Sequence, residues 1–594
     1  MFKVIKVNNK TTLISQCLGL LPINDRFRLF LLLFMQVLLN ILDLFALALI
    51  GILGSITISG LNSNDRNPVI EEFLQLLQLS NLNLKAQSFF LSVLIVVSLI
   101  LKTTLSAFLS KKTIYYLAHK SAKLSNDSYA KLLAPQHVTI FAKDGQETIY
   151  KLTTGINSII VGVIGNSMIL MTDISLLIIL SAALFYVDAV MAIGSLVLFI
   201  SVAYSLYVKL RSKAESLGRV NSKLTVLNNS LILNSLQNYR QIYLRGGENF
   251  FVESVSSNNL NLAKVNAEGN ILPFTSKYFI ETSMVVGISI ISLIQFAMYD
   301  TNHAVSVLAI FVAASMRIMP AVLRIQNSAV RARLASGMAK DSLDMLSKLK
   351  SFSVVRRDKP IQSLSYPDFI GQVIFMNVSF QYENSEVATL RDVNLEISPG
   401  DFVAFIGASG SGKSTILDLM TGLKNPTLGE ISISGLSARH AIEKWPGAVA
   451  FVPQSVDLIR GSIKENLSIG LTKGFFEDSQ LWEALDFAQL SDFVQELPNK
   501  LDTYVSDKET NLSGGQIQRL GIARALLTKP KILILDEATS SLDIETENFL
   551  VQNLEKLKGR TTLIVAAHRI STINKADKIY IVENGKVVEG KAII

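Results

Sequence analysis

Residues 392–415 read DVNLEISPGDFVAFIGASGSGKST. The apolar, β-branched run before Gly407 reads as a strand, and ILDLMTGL after Thr415 reads as a helix. A strand feeding a glycine-rich loop that opens a helix is the context of a phosphate-binding P-loop. Gly407, Gly410 and Gly412 let backbone N–H groups converge on phosphate oxygens, with Ser409, Ser411 and Thr415 in the same cradle. The helix N-terminus adds the positive end of its dipole. Lys413 is expected to reach the β- and γ-phosphates of a nucleotide, and the Ser414 hydroxyl to bind Mg²⁺.

Working outward, other apolar runs end in chemistry-bearing residues. KILILDEATS (531–540) delivers Asp536 and Glu537. A buried strand carrying a carboxylate beside a P-loop suits a Mg²⁺ partner, which assigns Asp536 to the metal. Glu537 then fits a general base that polarises the attacking water. TTLIVAAHRIST (561–572) places His568 just past an apolar strand, as a γ-phosphate partner. Gln454, in FVPQ, follows another strand and suits Mg²⁺ or the water. Residues 511–520, NLSGGQIQRL, open a helix with Ser513, Gly514, Gly515 and Gln516, which is a second phosphate grip. One P-loop and a spare grip in one chain point to a site shared between two chains.

The chain has 594 residues, 49% of them hydrophobic, and its apolar residues concentrate before about residue 330. A span needs about 20 apolar residues. Six stretches qualify: 29–53, 89–109, 156–184, 189–210, 272–298 and 304–323. Net charge is +8, and Lys and Arg cluster in the long polar stretches 110–155 and 211–270. The positive-inside rule puts those stretches and both termini in the cytoplasm, as an even number of spans requires. A basic balance of this kind indicates membrane orientation rather than nucleic acid. The long stretches read as helical extensions of the spans, with turning points near 136–141 and 237–243 touching the soluble domain. NPVIEEFLQLLQLS (67–80), with Asn67 as N-cap and Pro68 at the first helical position, reads as a short amphipathic helix on the outer face. The single Cys17 excludes a disulfide framework. The N-terminus lacks the pattern of a cleaved signal and reads as retained. The fold class is therefore a multi-domain membrane protein. An all-α transmembrane domain of six spans (1–340) is followed by a linker (341–363) and an α/β P-loop nucleotide-binding domain (364–594).

Taken in order, GASGSGKST, VPQ, LSGGQIQR, ILILDEATSSLD and AAHR resemble the ABC transporter family closely. The resemblance implies that ATP with Mg²⁺ is the cofactor set and that the chain is a half-transporter of exporter type. It implies that LSGGQ is the signature, that SSLD, ending in Asp543, is the D-loop, and that His568 is the switch histidine. Tyr382 matches the aromatic that stacks on adenine. In this family two nucleotide domains dimerise head to tail, so Ser513, Gly514 and Gly515 would grip the nucleotide of a second chain. A homodimer is the simplest assembly, and a heterodimer is the alternative. The family's Gly-Glu-Arg-Gly stretch before the signature is Ser506-Asp507-Lys508-Glu509 here, which puts coupling to the membrane helices in doubt.

Charges inside spans are costly and often functional. They are Asp43, Lys102, Asp173, Glu281, Arg317 and Arg324. Lys102 and Arg317 are the candidate substrate residues; mutual pairing or snorkelling is the structural alternative. The membrane half resembles, more weakly, the lipid-linked oligosaccharide flippases, in LLPINDRFRL, Asp43, the outer helix and Arg317–Pro320. That implies a lipid-linked saccharide substrate, because Arg pairs with phosphate in bidentate fashion. A drug, lipid or peptide exporter is the alternative. The spans exclude a soluble ATPase acting on DNA or ribosomes. An integral protein of the bacterial inner membrane, in contact with membrane lipids, is the expected location.

Overall fold

The computed structural model describes residues 13–59, 83–134, 144–187, 189–298, 301–350, 364–382, 385–472, 474–506, 512–539, 542–567 and 569–590. The chain divides into two compact units, one helical and one α/β.

The helical unit opens with a short helix, α1 (Leu13–Gly19), and continues with α2 (Ile23–Ser59) and α3 (Leu84–Leu132). A helix Gly145–Tyr150 then passes through two π-helical stretches, Lys151–Gly155 and Ser158–Gly165, into α4 (Asn166–Val187). Three long helices follow: α5 (Ala189–Gln237), α6 (Glu248–Met298) and α7 (Thr301–Lys350). Among the described residues, four stretches are long and apolar enough to cross a membrane: Ile23–Ile50, Lys85–Leu132, Gly145–Phe185 and Glu248–Ala297. Thus four of the six expected spans meet that test. The other two, 189–210 and 304–323, fall within α5 and α7, many of whose side chains there lie outside the described residues. Helix α7 runs on to Lys350, into the stretch read as a linker. The outer helix at 67–80 and the turning point at 136–141 lie outside the described residues.

Glycines let α5 and α7 cross closely. A Cβ on Gly218 of α5 would sit 2.0 Å from the Leu334 carbonyl oxygen of α7, and one on Gly337 would sit 2.2 Å from that of Glu215. Backbones touch there, and only glycine fits.

In the α/β unit the strands are β1 (Val373–Phe380), β2 (Leu390–Ile397), β3 (Phe402–Ile406), β4 (Leu428–Ile433), β5 (Leu436–Ser437) and β6 (Val449–Val452). They continue with β7 (Gly461–Ser462), β8 (Tyr504–Val505), β9 (Ile532–Asp536), β10 (Thr562–Ala566), β11 (Lys578–Glu583) and β12 (Lys586–Gly590). The stretch 392–407, read as one strand, is two: Ser398-Pro-Gly-Asp401 turns between β2 and β3, with Gly400 at φ +81°. The two belong to different sheets. One sheet has the order β2-β1-β4-β5, and the other β12-β11-β3-β10-β9-β6. Within the second, β11, β3, β10, β9 and β6 run parallel. Phe402–Phe405 of β3 and Leu533–Leu535 of β9 are fully buried, as strands covered on both faces must be. Parallel strands present all their C-terminal ends at one edge, which is where ligands bind in α/β sheets.

Candidate nucleotide site

Four parallel strands end at the site. β3 leads into the P-loop, β9 into Asp536 and Glu537, β6 into Gln454, and β10 toward His568. The order β3-β10-β9-β6 makes these loops neighbours.

The P-loop is built on glycine. Gly407 has φ +153°, and a Cβ there would lie 2.4 Å from the Val582 carbonyl oxygen. Gly412, at φ +112°, is the N-cap of α8 (Lys413–Met420). Lys413 is 5% exposed, and its Nζ donates to the carbonyls of Gly407 (2.7 Å) and Ala408 (3.1 Å). Among the described residues no carboxylate pairs with it. The buried Ser411 Oγ has no partner among the described residues. Ser409 and Gly410 stand exposed at the loop tip. An unpaired buried ammonium, an orphan hydroxyl and a helix N-terminus at one loop fit a polyphosphate.

Ser414 Oγ lies 3.4 Å from Asp536 Oδ1, within reach of one shared cation. Asp536 has its carboxyl raised above the usual range, chiefly by burial, with the neighbouring Glu537 charge adding to it. A carboxylate whose negative charge is destabilised in this way gains from a divalent cation. Gln454 Nε2 donates to Glu537 Oε2 at 2.8 Å. The structure thus brings Ser414 beside Asp536 and Gln454 beside Glu537. Glu537 takes φ +50°, a conformation uncommon for a non-glycine residue, and its N–H donates to Ala566 O at 3.2 Å.

Tyr382 is 41% exposed, and its hydroxyl lies 3.2 Å from Thr415 Oγ1. Lys424, not singled out from the sequence, stands 4.7 Å from the Tyr382 ring centroid and donates to its hydroxyl at 3.0 Å. Burial, the largest single influence, works against the Lys424 charge, but Asp418, accepting at 2.5 Å, and the Tyr382 hydroxyl together leave the ammonium pKa raised.

Residues 513–516 open a helix. Ser513 caps α9 (Gly514–Leu526) in a reciprocal box: Ser513 Oγ accepts from Gln516 N–H, and Gln516 Oε1 accepts from Ser513 N–H at 2.7 Å. Ser513 and Gly514 are exposed. Among the described residues no hydrogen bond or ion pair joins 513–516 to the P-loop. From the same helix the buried Gln518, also missed from the sequence, lies 3.4 Å from the carbonyls of both Gln454 and Glu537. Asp543 caps α10 (Ile544–Glu555) through Thr546 N–H at 3.0 Å, which holds its carboxyl below the usual range. His568 and residues 507–511 lie outside the described residues.

In the helical unit, Lys102 pairs with Asp43 at 2.6 Å. Arg324 grips Asp173 through Nε (3.0 and 3.1 Å) and Nη2 (2.8 Å). Glu281 lies 3.7 Å from Lys277. Arg317 lies in α7, but its side chain is outside the described residues.

Residues 390–540 match the family model described as ABC transporter. A multidrug resistance ABC transporter ATP-binding and permease protein of Lactococcus lactis subsp. lactis is 47% identical over 213 residues, 36% of this chain and 36% of the relative. A protein of the same name from Lactococcus lactis subsp. cremoris matches with the same identity and coverage. The matched sequence therefore spans about a third of those relatives' length. Among solved structures, a bacterial Atm1-family ABC exporter with ATP bound superposes with a TM-score of 0.70 at 20% identity, covering 95% of this chain and 94% of that one. Residues 390–540 thus match the ABC transporter family model, and the chain shares the fold of a bacterial Atm1-family exporter.

Proposed function

We propose that this chain is half of an ATP-driven exporter, working as a dimer of two copies in a bacterial inner membrane. Its termini and nucleotide domain lie on the cytoplasmic side, and six helices span the bilayer. The observation that carries this reading is the pair of separate phosphate grips. One is the P-loop with its unpaired Lys413; the other is the exposed, pre-capped Ser513–Gln516 with no tie to that P-loop. Two copies arranged head to tail would put one grip on each side of an ATP. Lys413 and the loop amides hold the phosphates. Ser414, Asp536 and Gln454 would hold Mg²⁺, which would supply charge neutralisation. Glu537 takes the proton of the attacking water, and His568 contacts the γ-phosphate.

The experiment is ATP turnover by the protein in lipid vesicles. Glu537→Gln should lower turnover by about 10²–10⁴-fold while ATP binding persists. In a Cys17→Ala background, Ser409→Cys and Leu512→Cys should cross-link between chains when ATP is added. A cross-link formed only within one chain would sink the head-to-tail arrangement.

For the substrate, an amphipathic drug or lipid is the favoured class. Lys102 and Arg324 each carry a carboxylate partner, so these two cations are already neutralised inside the helical unit. The names of the Lactococcus relatives agree with export of such compounds. A lipid-linked saccharide, whose pyrophosphate needs a cation, rests instead on Arg317. Transport by Arg317→Ala separates the two. Wild-type movement of a pyrophosphate-linked lipid that is lost in Arg317→Ala, with basal ATP turnover intact, supports the saccharide, and no such movement by the wild type rules it out.

A further inference from the structure

The Glu547 side chain, on α10, is 3% exposed and gathers three segments of the nucleotide domain. Arg569 donates to its Oε2. Ser571 Oγ donates to Oε1 at 3.1 Å, and the hydroxyls of Thr572 and Thr539 lie 3.4 Å from that same oxygen. Arg569 Nη2 also donates to Leu542 O at 3.1 Å. Thr539 belongs to the loop after β9, two positions past Glu537. Leu542 adjoins Asp543, and Arg569 follows His568 in the chain. The last pairing between β9 and β10 is Asp536 with Ala566. Beyond it the Glu537 N–H to Ala566 O bond ties the two loops near their base, and Glu547 ties them again farther out.

We propose that Glu547 is a positioning residue for ATP hydrolysis, clamping the loop that carries the base Glu537 to the loop that carries His568. This rests on the hydrolytic reading above. The physical case is that a buried ion pair is a poor source of stability, because apolar residues of similar volume do as well. A buried carboxylate with one cation and three hydroxyls around it holds one geometry, and misplacement of a reacting group by 1 Å costs about 10²-fold in rate.

The test uses the full-length protein in vesicles, with steady-state ATP kinetics, equilibrium binding of a fluorescent ATP analogue, and thermal melting. Glu547→Gln keeps the shape but removes the charge that Arg569 needs. Arg569→Lys keeps a cation but cannot reach both Glu547 and Leu542 O, and it carries the test if Glu547→Gln does not fold. Both should lose about 10- to 100-fold in kcat, with KM and the binding constant within about threefold of wild type. Asp577→Asn is the structural control. Asp577 pairs with Lys558 and accepts from Phe402 N–H, at the end of β3 opposite the P-loop. It should lower the melting temperature without lowering kcat. The proposal is overturned if the Glu547 and Arg569 variants turn over like wild type, or if Asp577→Asn loses as much kcat for the same loss of melting temperature. Absence of wild-type turnover would overturn the hydrolytic reading itself, and this proposal with it.

Discussion

Two lysines, the half-buried Lys102 of the helical unit and the buried Lys413 of the α/β unit, show opposite ways of holding a charge away from water. Lys102, in the helical unit, has its counter-ion built in: Asp43 lies 2.6 Å away with its side chain 1% exposed. Lys413, in the nucleotide domain, is 5% exposed, and among the described residues its Nζ makes no ion pair and donates to the carbonyls of its own loop. A carbonyl dipole satisfies a hydrogen bond but does not cancel a charge. The difference teaches where a ligand goes. A buried cation with a fixed carboxylate is complete without a ligand, and one held by dipoles alone is completed by an anion.

The largest effect tests the first half of that contrast. Lys102→Met should leave Asp43 charged and without its cation in an apolar setting, at a cost of about 3–5 kcal/mol. Melting in detergent, followed by size-exclusion chromatography, should show a marked loss. The double variant Lys102→Met/Asp43→Leu should recover most of it, because the pair is then gone rather than broken. Equal melting of Lys102→Met and wild type would mean that the cation is not neutralising Asp43.

Lys413→Ala should do the reverse. It breaks no ion pair, although the Lys413 charge favours the Asp536 carboxylate, so the loss of folding stability should be much smaller than for Lys102→Met. What is lost is a charge-assisted contact with phosphate worth about 1.5–3 kcal/mol, or about 10- to 100-fold in ATP affinity. Titration with a fluorescent ATP analogue, alongside melting, reads both quantities. Loss of stability without loss of affinity would place Lys413 in the structural class with Lys102.

Legibility differs between the units for a physical reason. In the nucleotide domain the chemistry sits on loops immediately after buried strands, so an apolar run followed by GASGSGKST, DE or PQ marks both the element and the site. In the helical unit, apolarity marks helices but carries no information on which residue faces which. Snorkelling and pairing were equally readable for Lys102, and only packing puts Asp43 beside it. The same limit hid Glu547, which belongs to no motif, and the contacts of Gln518, which lies within LSGGQIQR but whose neighbours are distant in sequence. The β2–β3 turn was missed because 392–407 is apolar on both sides of Ser398-Pro-Gly-Asp401, while Lys424 over Tyr382 had no local signal.

The smallest effect sharpens the contrast at the second phosphate grip, where no charged side chain is involved. Ser513 has two separable uses. Its Oγ accepts from Gln516 N–H, which caps α9, while the hydroxyl proton is left to donate outward from an exposed position. Ser513→Ala removes both, at a cost of about 1 kcal/mol for the cap. Ser513→Gly removes the donor but keeps a tolerable N-cap, at a cost of only a few tenths of a kcal/mol. If the residue serves only its own helix, turnover should follow stability, and the glycine variant should work nearly as well as wild type. If the hydroxyl meets the phosphate of the partner chain's ATP, the glycine variant should melt like wild type yet lose turnover as the alanine variant does. ATP affinity in each chain should persist, because the P-loop side of the site is untouched. Melting and turnover measured together on the two variants separate these outcomes, and full activity in Ser513→Gly would remove the hydroxyl from the shared site.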